Sequence, residues 1–169
     1  DRLEQELRAA HRHHDTLALL FIALDRFKEV NDAHGHDAGD QLLVEAGKRI
    51  RACVRESDTV GRLGGDEFTV LLPGLDDPIH VERIAEDIIL SLSRPIALPT
   101  EPAYVSASVG IASYPQDGET AEQLLRVSTT WMRARELGVE DLERAAGCRL
   151  STFEGVRLAN AEQVALATA

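Results

Sequence analysis

Disulfide frameworks, membrane spans and excess positive charge are all missing from this 169-residue sequence. The two cysteines, Cys53 and Cys148, are too few for a disulfide framework and lack the spacing of a metal clip, so a reducing cytoplasm is the expected compartment. The longest strongly apolar run, Leu17 to Leu24, is far shorter than the roughly 20 residues that cross a bilayer. We therefore expect no direct membrane insertion of this segment, which is compatible with the cytoplasmic part of a larger, membrane-anchored protein.

The charge balance excludes a second group of partners. With 18 basic and 29 acidic residues the formal net charge is −11, which opposes binding to nucleic acid or to an anionic membrane surface. A small phosphate ligand remains compatible, because a few local Arg, Lys and backbone N–H groups are enough to hold it.

The length predicts one domain of ordinary size, which we place at residues 1–155, followed by a helical linker at 156–169. The chain opens at Asp1 without an initiator Met, and its last residues form an Ala-rich segment that reads as a helix leading onward. We expect the sequence to be an excerpt from a longer signalling protein.

Hydrophobic periodicity predicts a mixture of strands and helices, and hence an α/β or α+β domain. Asp77 and Pro78 are typical of a helix start, and Thr120 with Gln123 forms a capping box. The expected order is helix 1–14, strand 17–24, a Gly- and His-containing loop 32–37, helix 38–54, strands 59–63 and 68–73, helix 77–92, strand 104–113 and helix 120–137.

Two glycines followed by two carboxylates connect the two central strands. Gly64 and Gly65 allow a tight bend and a close approach of the backbone to a ligand, and Asp66 and Glu67 place negative charge where a hard cation would bridge to phosphates. A hairpin turn with acidic residues on its solvent side is the simpler alternative on local pattern alone.

Further motifs decide between these alternatives. They are LDRFKEVND at 24–32, GHDAGD at 35–40, RESD at 55–58, GRLGGDEFTV at 61–70, and SVGIA at 108–112 leading to Tyr114-Pro115. In this order and at this spacing the chain, from about residue 1 to at least 138, resembles the GGDEF family, the bacterial diguanylate cyclase domains that join two GTP molecules into cyclic di-GMP. The resemblance implies a mostly antiparallel central sheet flanked by helices, similar to nucleotidyl cyclases and polymerase palms.

The resemblance also implies roles for individual residues. Asp66 and Glu67 match the metal and catalytic carboxylates, with a backbone carbonyl at Leu24 as a further metal ligand. Asn31 and Asp40 match the residues that hydrogen-bond guanine, although loop chemistry and helix N-terminal charge are their alternative explanations. The remaining implied nucleotide contacts are Phe27, Lys28, Gly64, Gly65 and Arg135.

Arg55 and Asp58 stand at the spacing of the family's inhibitory site for cyclic di-GMP. An Arg fork suits a phosphate or a guanine edge, and a carboxylate accepts guanine N–H groups. A surface ion pair is the alternative interpretation of so short a motif.

Two departures from the family put the activity in doubt. Ala23 stands where active members carry the first Asp of an Asp-x-Asp pair, a side-chain ligand of magnesium, so we expect magnesium binding to be weak or lost. Near the end of the similar region, Val139 stands where the family carries a phosphate-binding Arg. In an alternative alignment, which contains an insertion, Arg149 supplies that charge.

Three functions are therefore compared. The leading expectation is a catalytically degenerate domain that binds GTP and cyclic di-GMP, forms a homodimer in the full-length protein and regulates a neighbouring module such as an EAL-type phosphodiesterase. An active cyclase that uses Asp66, Glu67, Asp25 and the Leu24 carbonyl to hold the metal is the rival. A structural dimerisation domain is the third.

Overall fold

In a computed structural model of the chain, which describes residues 2–133, helices cover both faces of one antiparallel four-stranded sheet. This confirms the expected mixed fold. The elements are α1 (Arg2–His13), β1 (Leu17–Asp25), α2 (Phe27–His34), α3 (His36–Ala52), β2 (Thr59–Gly64), β3 (Glu67–Pro73), α4 (Pro78–Ser93), β4 (Ser106–Tyr114) and α5 (Ala121–Met132). The predicted linker 156–169 and the end of the predicted helix 120–137 lie outside the described residues.

The sheet order is β2-β3-β1-β4, so β1 is a central strand with β3 on one side and β4 on the other. Burial on both faces explains why β1 is a continuous apolar run rather than an alternating one. Because successive side chains point to opposite faces, β1 divides its residues between two cores. Leu20 and Ile22 belong to one core, and Leu17 and Leu19 belong to the other.

The two cores give the domain three layers. The larger core joins the sheet to α2, α3 and α4, whose buried residues include Val30, Leu42, Ile50 and Ile88. The smaller core joins the opposite face to α1 and α5 and contains Trp131. Among residues 2–133 no helix combines the length and the apolar character that a bilayer crossing needs.

One sequence expectation is wrong. Residues 32–34 of the predicted loop belong to helix α2, and only Gly35 separates α2 from α3. Gly35 has φ 85° and ψ 166°, a conformation that turns the chain sharply and that glycine adopts without strain. In α2 only Val30 is fully buried, so the helix lacks the apolar repeat by which sequence reasoning detects one.

The predicted helix starts are confirmed. The Asp77 carboxylate accepts a hydrogen bond from the backbone N–H of Ile79, with Pro78 at the first helical position. At α5 the Thr120 hydroxyl accepts from the Gln123 N–H while the Gln123 side chain accepts from the Thr120 N–H, which is the predicted capping box.

Candidate functional site

Three strands bring the predicted carboxylates to the end of β1. Ala23 lies directly between Glu67 on β3 and Ser108 on β4 in the strand register. The backbone N–H of Leu24 donates to the carbonyl of Asp66 at 3.1 Å, which ties the glycine turn to β1. Directly opposite residues of an antiparallel sheet share a face, so the side chains at positions 23, 67 and 108 lie on the same face.

Asp25, the last residue of β1, is held by β4. Its two oxygens accept hydrogen bonds from the hydroxyls of Ser106 and Ser108, each at 2.9 Å. Asp25 shares the face of Ala23 but stands two residues further along the strand, about 6 to 7 Å away. Its carboxylate is therefore hydrogen-bonded to β4 and offset along the strand from position 23.

The glycine turn adopts a backbone that only glycine takes easily. Gly64 has φ 154° and Gly65 has φ 52°. The guanidinium of Arg62 donates to the Gly65 carbonyl twice, at 3.0 Å from Nε and 2.8 Å from Nη2. Sequence reasoning did not find this role of Arg62. The available signal was its position, two residues before the glycine pair. The result is a fixed turn with Asp66 and Glu67, both half-buried, directly after it.

Asn31 and Gly39 form a close contact between α2 and α3. The Oδ1 atom of Asn31 is buried and accepts no hydrogen bond. A Cβ at position 39 would lie 1.8 Å from that oxygen, so only glycine leaves room for the amide. Buried acceptors are normally paired, so an unpaired one suits an N–H donor of a ligand. The residue after Gly39, Asp40, is exposed. Sequence reasoning did not find the role of Gly39, although an isolated glycine within a helix is such a signal.

The connection from β1 to α2 is a single left-handed residue. Arg26 has φ 66° and ψ 16°, which is uncommon for any residue but glycine and is concentrated at functional sites. Phe27 follows it, half-buried and packed against the larger core, whereas Lys28 is exposed. Of these two predicted contacts, Lys28 is the exposed one, and Phe27 packs against the larger core.

The residues 55–58 form a closed turn rather than a surface ion pair. Asp58 is 4% exposed, and its Oδ2 accepts from the Arg55 N–H at 2.8 Å. The Asp58 N–H donates in turn to the Arg55 carbonyl at 3.1 Å. The ion-pair interpretation is therefore wrong, because the Asp58 carboxylate contacts backbone and the Arg55 side chain is exposed.

Few groups of the candidate site are available as ligands for a cation. In the part of the chain that the structure describes, no three His, Cys, Asp or Glu side chains converge in an arrangement that would hold a metal ion. Asp66, Glu67 and the Leu24 carbonyl are the candidate ligands. Magnesium commonly takes one or two protein carboxylates together with phosphates and waters. The residues present therefore fit part of a magnesium site, one that phosphate oxygens must complete.

The predicted phosphate cation Arg135, like Val139 and Arg149, lies outside the described residues. Helix α5 ends at Met132, and Trp131 in its last turn is buried in the smaller core.

Comparison with known proteins agrees with this geometry. A family model described as "Diguanylate cyclase, GGDEF domain" matches residues 1–138. The chain is 51% identical over 126 residues to the diguanylate cyclase TpbB of Pseudomonas aeruginosa. It is 46% identical over 125 residues to the bifunctional diguanylate cyclase/cyclic di-GMP phosphodiesterase MucR of the same organism. These matches cover 73% and 74% of this chain but only 29% of TpbB and 18% of MucR.

Solved structures give the same result. The crystal structure of the GGDEF domain of Pseudomonas aeruginosa TpbB matches with a TM-score of 0.75 at 47% identity, over 78% of this chain and 83% of that one. A sensory box/GGDEF family protein from Caulobacter crescentus matches with a TM-score of 0.74 at 38% identity, over 81% and 89%. With the family model spanning most of its length, the chain belongs to the GGDEF family of diguanylate cyclase domains, which act in cyclic di-GMP signalling.

Proposed function

We propose that this GGDEF domain binds GTP and cyclic di-GMP, makes little or no cyclic di-GMP, and regulates a neighbouring module. The observation that carries the proposal is alanine at position 23, in register with Glu67, at the strand end where active relatives place a metal-binding Asp. A domain that keeps nucleotide recognition while losing a metal ligand is suited to sensing rather than to turnover.

Recognition of guanine is supported by the contact between α2 and α3. Guanine presents a ring N–H and an exocyclic amine on one edge, and both require acceptors. The buried, unpaired Oδ1 of Asn31 and the exposed carboxylate of Asp40 are two such acceptors. Adenine has the opposite donor and acceptor pattern on that edge and would leave them unpaired.

Phosphate binding is assigned to the neighbouring elements. The glycine turn at Gly64 and Gly65 has no Cβ to obstruct the approach of phosphates, since a Cβ at either position would meet open space. The proposed cations are Lys28, which is exposed, and Arg135, which lies later in the sequence. These contacts need no metal, so GTP binding persists without magnesium.

The cyclase reaction is expected to be impaired at the metal. Bound magnesium would neutralise phosphate charge and acidify the attacking 3′-hydroxyl. Asp66, Glu67 and the Leu24 carbonyl would hold it, without the side-chain ligand that position 23 no longer supplies. A displacement of about 1 Å of a reacting group can cost on the order of a hundredfold in rate. Asp25 does not restore the ligand, because Ser106 and Ser108 hold its carboxylate.

The second ligand, cyclic di-GMP, is assigned to Arg55 and Asp58. The exposed Arg55 guanidinium can fork onto a phosphate or a guanine edge, and Asp58 closes the turn that presents it. This site is separated from the glycine turn by strand β2 and does not depend on the missing metal ligand.

Calorimetry of GTP binding with and without magnesium, combined with chromatographic detection of product, tests the proposal. We expect GTP binding in both conditions and little or no cyclic di-GMP. Robust product formation by the wild-type chain would establish the active cyclase instead. The absence of binding to GTP and to cyclic di-GMP would support the structural dimerisation domain instead.

The regulated module is proposed to be a phosphodiesterase domain of the EAL type, within a homodimeric full-length protein. The support is that MucR, of which this chain matches 18%, is described as bifunctional, with a cyclic di-GMP phosphodiesterase activity. A full-length protein whose phosphodiesterase rate is the same with and without GTP would contradict this regulation.

A further inference from the structure

A second arginine, Arg51, donates hydrogen bonds to the turn 55–58. Arg51 lies in the last turn of α3, and its guanidinium reaches beyond the helix end to two backbone carbonyls. Nη1 donates to the Asp58 carbonyl at 2.6 Å, and Nη2 donates to the Arg55 carbonyl. One planar group thus joins both ends of the turn 55–58. Hydrogen bonds from a charged donor are about twice as strong as neutral ones.

The same turn is closed from its other side. Asp58 is 4% exposed, and its carboxylate accepts from the Arg55 N–H. The N–H and the carbonyl of Arg55 are therefore both engaged, while its side chain is exposed. The backbone that carries this side chain therefore has its hydrogen bonds within the protein itself and needs no ligand to supply them.

We infer that Arg51 is a positioning residue for cyclic di-GMP, and this rests on the proposed role of Arg55. A ligand that meets a disordered turn has to offset the entropy of ordering it, and a preorganised turn removes that cost. Arg51 therefore raises the affinity for cyclic di-GMP without contacting the ligand.

A purely structural role for Arg51 is the competing explanation, and the chain offers a matched control. Arg49, on the same helix, donates to the carbonyls of Ser91, Arg94 and Pro95, at the end of α4. Arg49→Met removes at least as many arginine–carbonyl hydrogen bonds as Arg51→Met but leaves the turn 55–58 untouched.

The experiment compares wild type, Arg51→Met, Arg51→Lys and Arg49→Met in the whole 169-residue chain. Cyclic di-GMP and GTP affinities are measured by calorimetry, and hydrogen exchange of the Arg55 and Asp58 amides is followed by NMR. We expect Arg51→Met to bind cyclic di-GMP about tenfold more weakly and both amides to exchange faster, with GTP affinity unchanged. Arg51→Lys, which keeps a donor, recovers part of the affinity, and Arg49→Met retains all of it.

Equal cyclic di-GMP affinity and equal amide exchange in wild type and Arg51→Met would overturn the inference alone. A loss of affinity in Arg49→Met as large as that in Arg51→Met would also overturn it, because the effect would then follow general stability. Failure of the wild type to bind cyclic di-GMP would overturn the proposed role of Arg55 and this inference together.

Discussion

The guanine side and the metal side of the candidate nucleotide site differ in how completely they are built. On the guanine side, Gly39 leaves room for the Asn31 amide, whose buried oxygen has no partner. On the metal side, Ala23 supplies only a methyl group between Glu67 and Ser108. The guanine side keeps its close helix–helix contact, whereas the proposed metal side keeps Asp66 and Glu67 but has no carboxylate at position 23. A regulatory domain can therefore lose the second and keep the first.

The largest expected effect is that of Gly39→Ala. Its Cβ would lie 1.8 Å from Asn31 Oδ1, so the amide must move and its proposed contact with guanine would be lost. We expect GTP affinity to fall by about a hundredfold and the free energy of unfolding to fall by about 1 to 3 kcal/mol. Calorimetry and denaturant titration measure the two quantities.

Gly47→Ala on the same helix is the matched control. Its Cβ would lie 3.7 Å from a Phe68 ring carbon, which is ordinary contact. We expect unchanged GTP affinity and a gain of roughly 0.5 to 1 kcal/mol, since alanine is the better helix former. If Gly39→Ala bound GTP as tightly as the wild type, the proposed contact between the Asn31 amide and guanine would be contradicted.

The second prediction concerns cyclic di-GMP, whose binding should not depend on the incomplete metal side. Arg55→Ala removes a forked, charge-assisted contact worth about 1.5 to 3 kcal/mol, which is more than tenfold in affinity. Glu56→Ala, an exposed neighbour in the same turn, is the control and should not weaken binding. Equal affinity of wild type and Arg55→Ala, measured by calorimetry without magnesium, would leave the motif with a structural role only.

The third prediction is a preference for GTP over ATP of at least about tenfold, because bound adenine would cover acceptors without pairing them, at a cost of roughly 1 to 3 kcal/mol for each acceptor that becomes buried. Asp40→Ala should remove most of this preference. Asp37→Ala removes an exposed carboxylate from the first turn of the same helix and should retain it. Competition binding with both nucleotides gives the ratio, and equal affinities would favour the dimerisation domain.

The smallest effect is expected when a carboxylate is added to the proposed metal site. Ala23→Asp adds one carboxylate at a half-buried position and should strengthen magnesium-dependent GTP binding by about 1 kcal/mol, or about fivefold. Ala23→Asn, of the same size without the charge, is the control. Calorimetry at several magnesium concentrations measures the gain. A gain of equal size in Ala23→Asn would show that position 23 does not contribute charge to a metal.

Much of the fold was predictable because its signals are local. The apolar run of β1, the glycine turn between β2 and β3, and the capping box at Thr120 each lie within a few neighbouring residues. Helix α2 was not predictable in this way, since it buries one residue fully and ends at His34 without an apolar repeat. Its helical state depends on packing against α3 and the sheet.

For the site, the sequence by itself determined which chemical groups are available: alanine at 23, carboxylates at 66 and 67, an amide at 31. Only the tertiary structure decided what those groups contact. The hydrogen bond from Ser106 to Asp25 spans 81 residues. The contact of Asn31 with Gly39 depends on how two helices pack. Strand register and helix packing are long-range properties, so no local pattern reveals that Asp25 is held by β4 or that the Asn31 oxygen is buried without a hydrogen-bond partner.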